Sequence, residues 1–137
     1  MMRRVGMLAA AAVIAVSAST ATAAGNPQGA FSAFHGKVSC HWQDISGNAR
    51  VRCWALADPM SFSQLRGTSA HGVLGTRHWS PPVGAGIGFN NTRVLPGGVT
   101  CAFRWFAVTD THKLKSVVCT NSKGGRSFAN PSGVSAE

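Results

Sequence analysis

The chain of 137 residues contains no tyrosine and only four acidic residues, against 13 lysines and arginines. The acids are far apart in the sequence, at Asp44, Asp58, Asp110 and Glu137. A glycosidase of the usual kind needs two carboxyl groups flanking one bond, and this set is a poor source of such a pair. Because tyrosine is missing too, the five histidines are the main side chains left for acid–base chemistry.

The sequence has no Cys-x-x-Cys pair, the close spacing that structural zinc sites use. Its four cysteines are Cys40, Cys53, Cys101 and Cys119. An even number of cysteines in a small exported chain predicts two disulfides, although four cysteines allow three connectivities. We therefore expect disulfides, no metal ion and no cofactor.

The sequence has one long apolar run, and it lies at the N-terminus. The cationic stretch "MMRR" is followed by "VGMLAAAAVIAVSAST" and the small residues "ATAAG". This layout predicts a secretory signal peptide over residues 1–24, with cleavage after Ala23 or Ala24. No second run follows, so we expect no transmembrane segment in the mature protein. Residues 25–137 are then predicted to form a single secreted domain, extracellular or in the cell envelope.

The stretch "KVSCHWQDISGNARVRCWAL", residues 37–56, has the period-two alternation of two β-strands. Ser-Gly-Asn between them is typical of a turn. If Cys40 faces Cys53, then Trp42 faces Val51, and the apolar residues of both strands share one face. A shift of one residue would turn this apolar set outward.

A similar pattern recurs at residues 98–122, "GVTCAFRWFAVTDTHKLKSVVCTNS". With Cys101 facing Cys119, Phe103 lies opposite Val117, and "TDTHK" closes the turn. The chain is therefore predicted to contain two β-hairpins with cysteines at matched cross-strand positions. These registers favour one bridge within each hairpin over the crossed pairings.

The remaining segments carry weaker patterns. Residues 57–98 are rich in Gly, Pro, Ser and Asn, and we predict one or two short strands and long ordered loops there. The tail after Phe128, "ANPSGVSAE", is predicted to be frayed. Since no stretch has a sustained apolar period of 3.6 residues, the fold class is all-β. We expect a small antiparallel sandwich-like or barrel-like domain built around two disulfide-stapled hairpins.

The chain contains the short motifs Val51-Arg52-Cys53, Leu95-Pro96-Gly97-Gly98 and Val118-Cys119-Thr120-Asn121. Together with looser matches at Gly125 and Phe128, these motifs resemble a family of small secreted actinobacterial domains of unknown function. The chain departs from that pattern at Gly36-Lys37-Val38, which replaces the usual start, and it lacks the central cysteine that many members have. The resemblance implies the fold and the secreted compartment, and it carries no activity onto any residue.

Four tryptophans are many for a domain of this size. Trp42 and Trp105 lie on the cysteine faces of the hairpins and are predicted to be core. Trp54 and Trp79 lie off those faces, close to arginines, where an exposed ring could bind a sugar or a base. The alternative is that they form a second layer of core under the central loops. The residues of this hypothetical ligand-binding patch are Arg52, Trp54, Arg77, His78 and Trp79.

The formal net charge of +9 favours anionic partners, and the alternative is that the scattered basic residues only keep a Gly-rich secreted protein soluble. We predict a non-catalytic binding or cell-envelope-associated module with a weak preference for anionic polymers or glycans, and assign no catalytic residue. The alternative is a small secreted nuclease or phosphodiesterase, with His41 or His78 beside an arginine. Such an enzyme would need a histidine and two cationic groups converging in one cleft.

Overall fold

The computed structural model describes residues 27–77, 84–107 and 110–137, so the predicted signal peptide lies outside the described residues. Within these ranges the chain forms eleven strands and no helix. The strands are β1 (Gln28–Ala33), β2 (Val38–Ile45), β3 (Asn48–Ala55), β4 (Asp58–Arg66), β5 (Val73–Thr76), β6 (Ala85–Gly86), β7 (Thr92–Leu95), β8 (Val99–Ala107), β9 (Lys113–Asn121), β10 (Arg126–Asn130) and β11 (Gly133–Ala136). In the described ranges we find no helix with the length and apolar character needed to cross a membrane.

The strands form two sheets, which confirms the all-β prediction and selects the sandwich over the barrel. The six-stranded sheet has the order β5-β4-β3-β2-β1-β6, and the five-stranded sheet has the order β11-β10-β9-β8-β7. Neighbouring strands are antiparallel apart from β1 and the two-residue β6, which run parallel. The sheets pack face to face, with β4 and β11 in extensive contact, and they do not close into a barrel.

The first hairpin has the predicted register. Cys40 pairs with Cys53, and Trp42 pairs with Val51. The turn is tight, because Ile45 already pairs with Asn48 and leaves a loop of two residues, Ser46 and Gly47. Both loop residues have positive φ, 54° at Ser46 and 83° at Gly47, which is the hand that matches the twist of the flanking strands.

The second hairpin is also in the predicted register, with Cys101 opposite Cys119 and Phe103 opposite Val117. Both bridges lie within hairpins, Cys40–Cys53 and Cys101–Cys119, and no cysteine is free. The four cysteines are buried in the core between the sheets. The largest fully buried side chains around them are Phe31, Leu65, Val38, Val51, Val99 and Val117.

The prediction of only one or two short strands in residues 57–98 was wrong. The described residues of this segment form four strands, including the nine-residue β4, which pairs with β3 and with β5. β4 carries only a short apolar signal because its inner face is partly serine: Ser63 is fully buried beside Leu65. Buried serine lowers the hydrophobic contrast on which a period-two prediction depends.

The expected frayed tail is also wrong, since the last residues form the edge of the five-stranded sheet. Asn130-Pro131-Ser132-Gly133 is a turn that brings β11 back against β10. The backbone N–H of Gly72 donates to the carbonyl of Glu137 at 2.8 Å, and Val134 packs against the core. The tail is therefore held to both sheets by backbone hydrogen bonds and apolar contact.

Of the two tryptophans predicted as core, one lies against it and one does not. Trp42 is half-buried and packs on the core, with its indole over Gly29, where a Cβ atom would approach the ring to 2.9 Å. Trp105 is 52% exposed, although it shares a strand face with Cys101 and Phe103. The alternation persists along β8, but the last residues of this strand extend past the region that the facing sheet covers.

We expect each disulfide to contribute about 2–5 kcal/mol to the free energy of unfolding, because each restricts the unfolded chain. The variant Cys40→Ala/Cys53→Ala, compared with the parent by urea denaturation, should show a loss in this range. Non-reducing peptide mapping of the parent should recover Cys40 linked to Cys53. A linked Cys40–Cys101 peptide, or a double variant as stable as the parent, would contradict this account.

Candidate functional site

The outer face of the six-stranded sheet carries a concentration of arginines. Alternation along β3 points Arg50 and Arg52 away from the core, because Val51 and Cys53 point into it. Arg66 of β4 lies directly opposite Arg50, and His41 of β2 lies directly opposite Arg52. Arg77 follows β5, and its backbone N–H donates to the carbonyl of Met60 at 2.7 Å. We call this set the arginine face: His41, Arg50, Arg52, Arg66 and Arg77.

The arginine face encloses a small depression. Its volume is about 150 Å³, and His41, Arg50, Arg52, Trp54 and Arg77 line it. The residues come from two adjacent strands and the segment after β5, so pairing within one sheet assembles the whole site. A rigid sheet holds such a constellation more firmly than loops do.

Neutral side chains hold two of the guanidinium groups. Arg52 donates from Nε to the side-chain oxygen of Gln64 at 2.6 Å, and Arg50 donates to that of Gln43 at 3.0 Å. The guanidinium carbon of Arg52 also lies 4.7 Å from the centre of the Phe62 ring. These contacts orient the cations and leave their charge uncompensated.

The arginines repel one another. The pKa values of Arg50 and Arg52 are lowered by burial first, and then by neighbouring positive charge. The charged neighbours responsible, among the residues that the structure describes, are all arginines, with Arg66 and Arg77 acting on both. Arginine stays protonated under all ordinary conditions, so the repulsion is permanent. Like charges directly opposite each other on a sheet, as at Arg50 and Arg66, are destabilising.

Three of the acidic residues make their contacts elsewhere in the described part of the chain. Asp44 accepts a hydrogen bond from the N–H of Gly47 in the first hairpin turn, at 2.9 Å. Asp58 accepts one from the N–H of Met60 at 3.3 Å. Glu137 forms an ion pair with Arg126 on the edge of the other sheet. The arginine face therefore keeps its positive field.

His41 is set among these cations. Burial, and then the charges of Arg50 and Arg52, lower its pKa below the ordinary histidine value. The imidazole is consequently neutral at pH 7 and can accept a proton or a hydrogen bond. The histidine beside an arginine that the nuclease alternative requires is thus present in the fold.

The structure brings together three of the five residues of the predicted patch. Arg52, Trp54 and Arg77 line the same depression. Trp54 is only 2% exposed, so this side chain belongs to a layer of packed core, which was the alternative to an exposed ring. Its ring lies 5.4 Å from that of Phe62. The other two members, His78 and Trp79, lie outside the described residues.

The sequence prediction of the patch omits Arg50 and Arg66. The position of Arg50 is accessible to sequence reasoning, because it is two residues from Arg52 and shares its face on any strand through Cys53. The position of Arg66 is not, since its place opposite Arg50 depends on the pairing of β4 with β3, outside the two predicted hairpins. The site is broader and more strictly cationic than the predicted aromatic–cationic patch.

No group of three histidine, cysteine or acidic residues suited to a metal ion occurs in residues 27–77, 84–107 and 110–137. Comparison of this chain with protein-family models, with curated proteins and with solved structures finds no match. Any inference about function therefore rests on the chemistry of the described residues.

We predict that His41 titrates below the ordinary histidine value of about 6.5, and that Arg50→Gln moves its pKa upward. Removing one nearby positive charge makes protonation easier, whereas the burial contribution remains. Two-dimensional NMR of the imidazole carbons against pH measures both values. Because the unfolded chain binds this proton first as the pH falls below about 6.5, the free energy of unfolding should decrease there and level off below the folded pKa. A His41 pKa at or above the ordinary histidine value would contradict the prediction.

Proposed function

We propose that the protein is a non-catalytic binding module whose arginine face binds an anionic polymer or glycan. One observation carries the proposal: four arginines converge on one sheet face where, in the described part of the chain, the charges that act on Arg50 and Arg52 are all positive. Mutual repulsion of this kind lowers stability, so a function that needs it is the simplest reason for its presence. A bound anion would relieve the repulsion.

Guanidinium groups suit this role because each offers several N–H donors in a planar fork that matches carboxylate, sulfate or phosphate oxygens. The depression of about 150 Å³ has room for one such group, and Arg66 lies beside it on β4. An anionic polymer could place successive groups along the face. Since Trp54 is buried, charge and hydrogen bonding would supply the affinity, with little stacking on this ring.

The compartment that we propose is the cell exterior or envelope. Two disulfides in the core suit a protein that matures in an oxidising environment. The N-terminal segment has the layout of a secretory signal peptide, and the resemblance of the short motifs to small secreted actinobacterial domains supports the same compartment. Envelope polymers rich in phosphate or carboxylate would be the nearest ligands for a protein in that place.

We predict that Arg50→Gln/Arg52→Gln weakens binding to a sulfated polysaccharide by about tenfold or more, because each charge-assisted hydrogen bond contributes about 1.5–3 kcal/mol. Isothermal titration calorimetry with heparin as the polyanion measures the change. The affinity of the parent should fall steeply with salt, since binding releases counterions, and the variant should have a shallower salt dependence.

Arg50→Gln alone should keep or raise the melting temperature of the protein, because it removes the repulsion between Arg50 and Arg66.

The matched control is Arg104→Gln, which removes an exposed arginine from the other sheet. It should lower heparin affinity only by the small amount that one distant charge contributes. Equal losses in Arg104→Gln and Arg50→Gln would show that net charge alone drives binding, and would refute the arginine face as the site. So would a parent protein that binds neither heparin nor an anionic cell-wall polymer at low salt.

A second candidate, a histidine-dependent nuclease, is favoured by one specific observation. His41 lies among Arg50, Arg52 and Arg77 in one depression, and this is the convergence of one histidine and two cations that such an enzyme needs. The lowered pKa keeps His41 neutral, as a general base must be. The described part of the depression supplies one acid–base group, whereas cleavage of a phosphodiester commonly uses two.

The binding module and the nuclease differ in whether the protein cleaves RNA. Incubation of the parent with single-stranded RNA, in the presence of a chelator, should leave the RNA intact if the binding proposal is right. Cleavage that disappears in His41→Ala, while the variant still binds RNA, would establish the nuclease and overturn the non-catalytic proposal. Cleavage that persists in His41→Ala would come from a contaminant or another site and would count against the nuclease candidate.

A further inference from the structure

A second cavity lies apart from the arginine face, between the two sheets and beside the β1–β2 turn. Its volume is about 600 Å³, within the range of small-molecule sites. The walls are mainly apolar and come from the β1–β2 turn, the segment after β6, and strands β8 and β9. The larger side chains that line the cavity are those of Phe34, Ile87, Phe89, Phe103, His35 and Lys115. We call this cavity the aromatic cleft.

Four aromatic rings form a continuous row along the aromatic cleft. The rings of Phe34 and Phe103 are 4.5 Å apart between centres, and Phe89 meets Phe103 edge-on at 5.3 Å. Phe89 also meets the ring of Trp105 edge-on at 6.2 Å. The row runs from Phe34 through the buried Phe103 and then Phe89 to Trp105, which is half exposed and lies beyond the lining of the cleft. A molecule in the cleft would therefore contact several ring surfaces at once.

The turn that forms one wall has an unusual backbone. Phe34 and His35 both have a φ of 56°, and Gly36 has a φ of 88°. A tight reversal of this hand prefers Asn and Gly, and a bulky residue in the left-handed region is rare. The packing of Phe34 on Phe103 offsets the strain and holds the ring in the wall of the cleft. Backbone strain of this kind concentrates at ligand sites.

Among the described residues that line the cleft, Lys115 is the one lysine or arginine. It pairs with Trp105 across the hairpin and lies two residues before the buried Val117 on the same face of β9. Its ammonium nitrogen is 4.6 Å from the centre of the Phe89 ring and 5.4 Å from that of Trp105. Within the described residues no carboxylate forms an ion pair with it, and that of Glu137 is paired with Arg126. The charge thus faces the cleft at its edge.

We propose that the aromatic cleft binds a small apolar molecule with one carboxylate, an acyl or aryl acid. The apolar body would lie among Phe34, Phe89 and Phe103, and the carboxylate would accept hydrogen bonds from the ammonium group of Lys115. The volume and the apolar walls suit the body, and the lysine at the edge suits one anionic head group. This site is separate from the arginine face and does not depend on the function proposed there.

The test uses two carboxylates and one neutral analogue. Octanoate represents the acyl source, 1-naphthylacetate the aryl source, and octan-1-ol the same chain without charge. Isothermal titration calorimetry with the parent protein should show at least one carboxylate binding more tightly than octan-1-ol. Lys115→Gln should weaken that carboxylate by about tenfold and leave octan-1-ol unchanged, because only the charged hydrogen bond is lost. Phe89→Ala should weaken the binding of that carboxylate and of octan-1-ol.

A matched control places the effect. Lys123→Gln removes a lysine from the β9–β10 turn, so it should not change carboxylate binding. Phe89→Leu, which keeps an apolar side chain, serves in place of Phe89→Ala if the latter does not fold. Absence of binding by both carboxylates would overturn the proposal. So would affinities of both carboxylates no greater than that of octan-1-ol, or a carboxylate affinity unchanged in Lys115→Gln.

Discussion

Cross-strand pairing at the two disulfides is the constraint on which the rest of the structure depends. A bridge between directly opposed cysteines is compatible with one register of its hairpin, and a shift by one residue would put the apolar side chains of the two strands on opposite faces. With Cys40 opposite Cys53, Val51 faces the core and Arg50 and Arg52 face outward. The same bond that stabilises the core therefore determines which charges appear on the outer face. The second bridge plays the same part for Phe103 and Trp105.

The sheet presents its charge at a cost in stability. Arg50 and Arg66 are direct cross-strand partners, and the side chains that hold the arginines are glutamines and a phenylalanine ring. Two buried bridges in a domain of this size supply stability from a source that does not involve the surface. The outer face is thus free to carry residues that repel one another. This division between a stapled interior and a strained exterior is the physical basis of the proposed anion site.

The two candidate sites differ in chemistry because they differ in how the sheets meet. The arginine face lies outside the sandwich, where strand alternation alone selects the side chains. The aromatic cleft lies where the inner face of the five-stranded sheet extends past its cover. There Trp105 and Lys115 share the strand faces that carry Cys101 and Cys119 further along the same hairpin. The arginine face brings several cations together on a sheet surface, whereas the aromatic cleft combines one lysine with an apolar cavity.

Much of the fold was readable from the sequence because disulfide hairpins are local. Alternation over a few residues, together with matched cysteines, was enough to indicate the fold class, both registers and both bridges. The same reasoning failed for β4 and for the C-terminal strands, where buried serine or a Pro-containing turn masks the alternation. These strands are fixed by partners distant in sequence: Glu137 bonds to Gly72, and β11 packs on β4.

The candidate site divides in the same way. The local pattern on β3 identified Arg52 as surface, whereas Arg77 entered the predicted patch because it is close to Trp79 in the sequence. Whether Trp54 is exposed or buried depends on tertiary contacts such as that with β4, where Phe62 packs against its ring. Pairing between β3 and β4 likewise brought Arg66 opposite Arg50. The sequence by itself determined which residues face outward from a hairpin, since that depends on neighbours in the chain. Tertiary structure alone decided which of them meet, because the charges and rings of the site come from strands that only the folded sheet brings together.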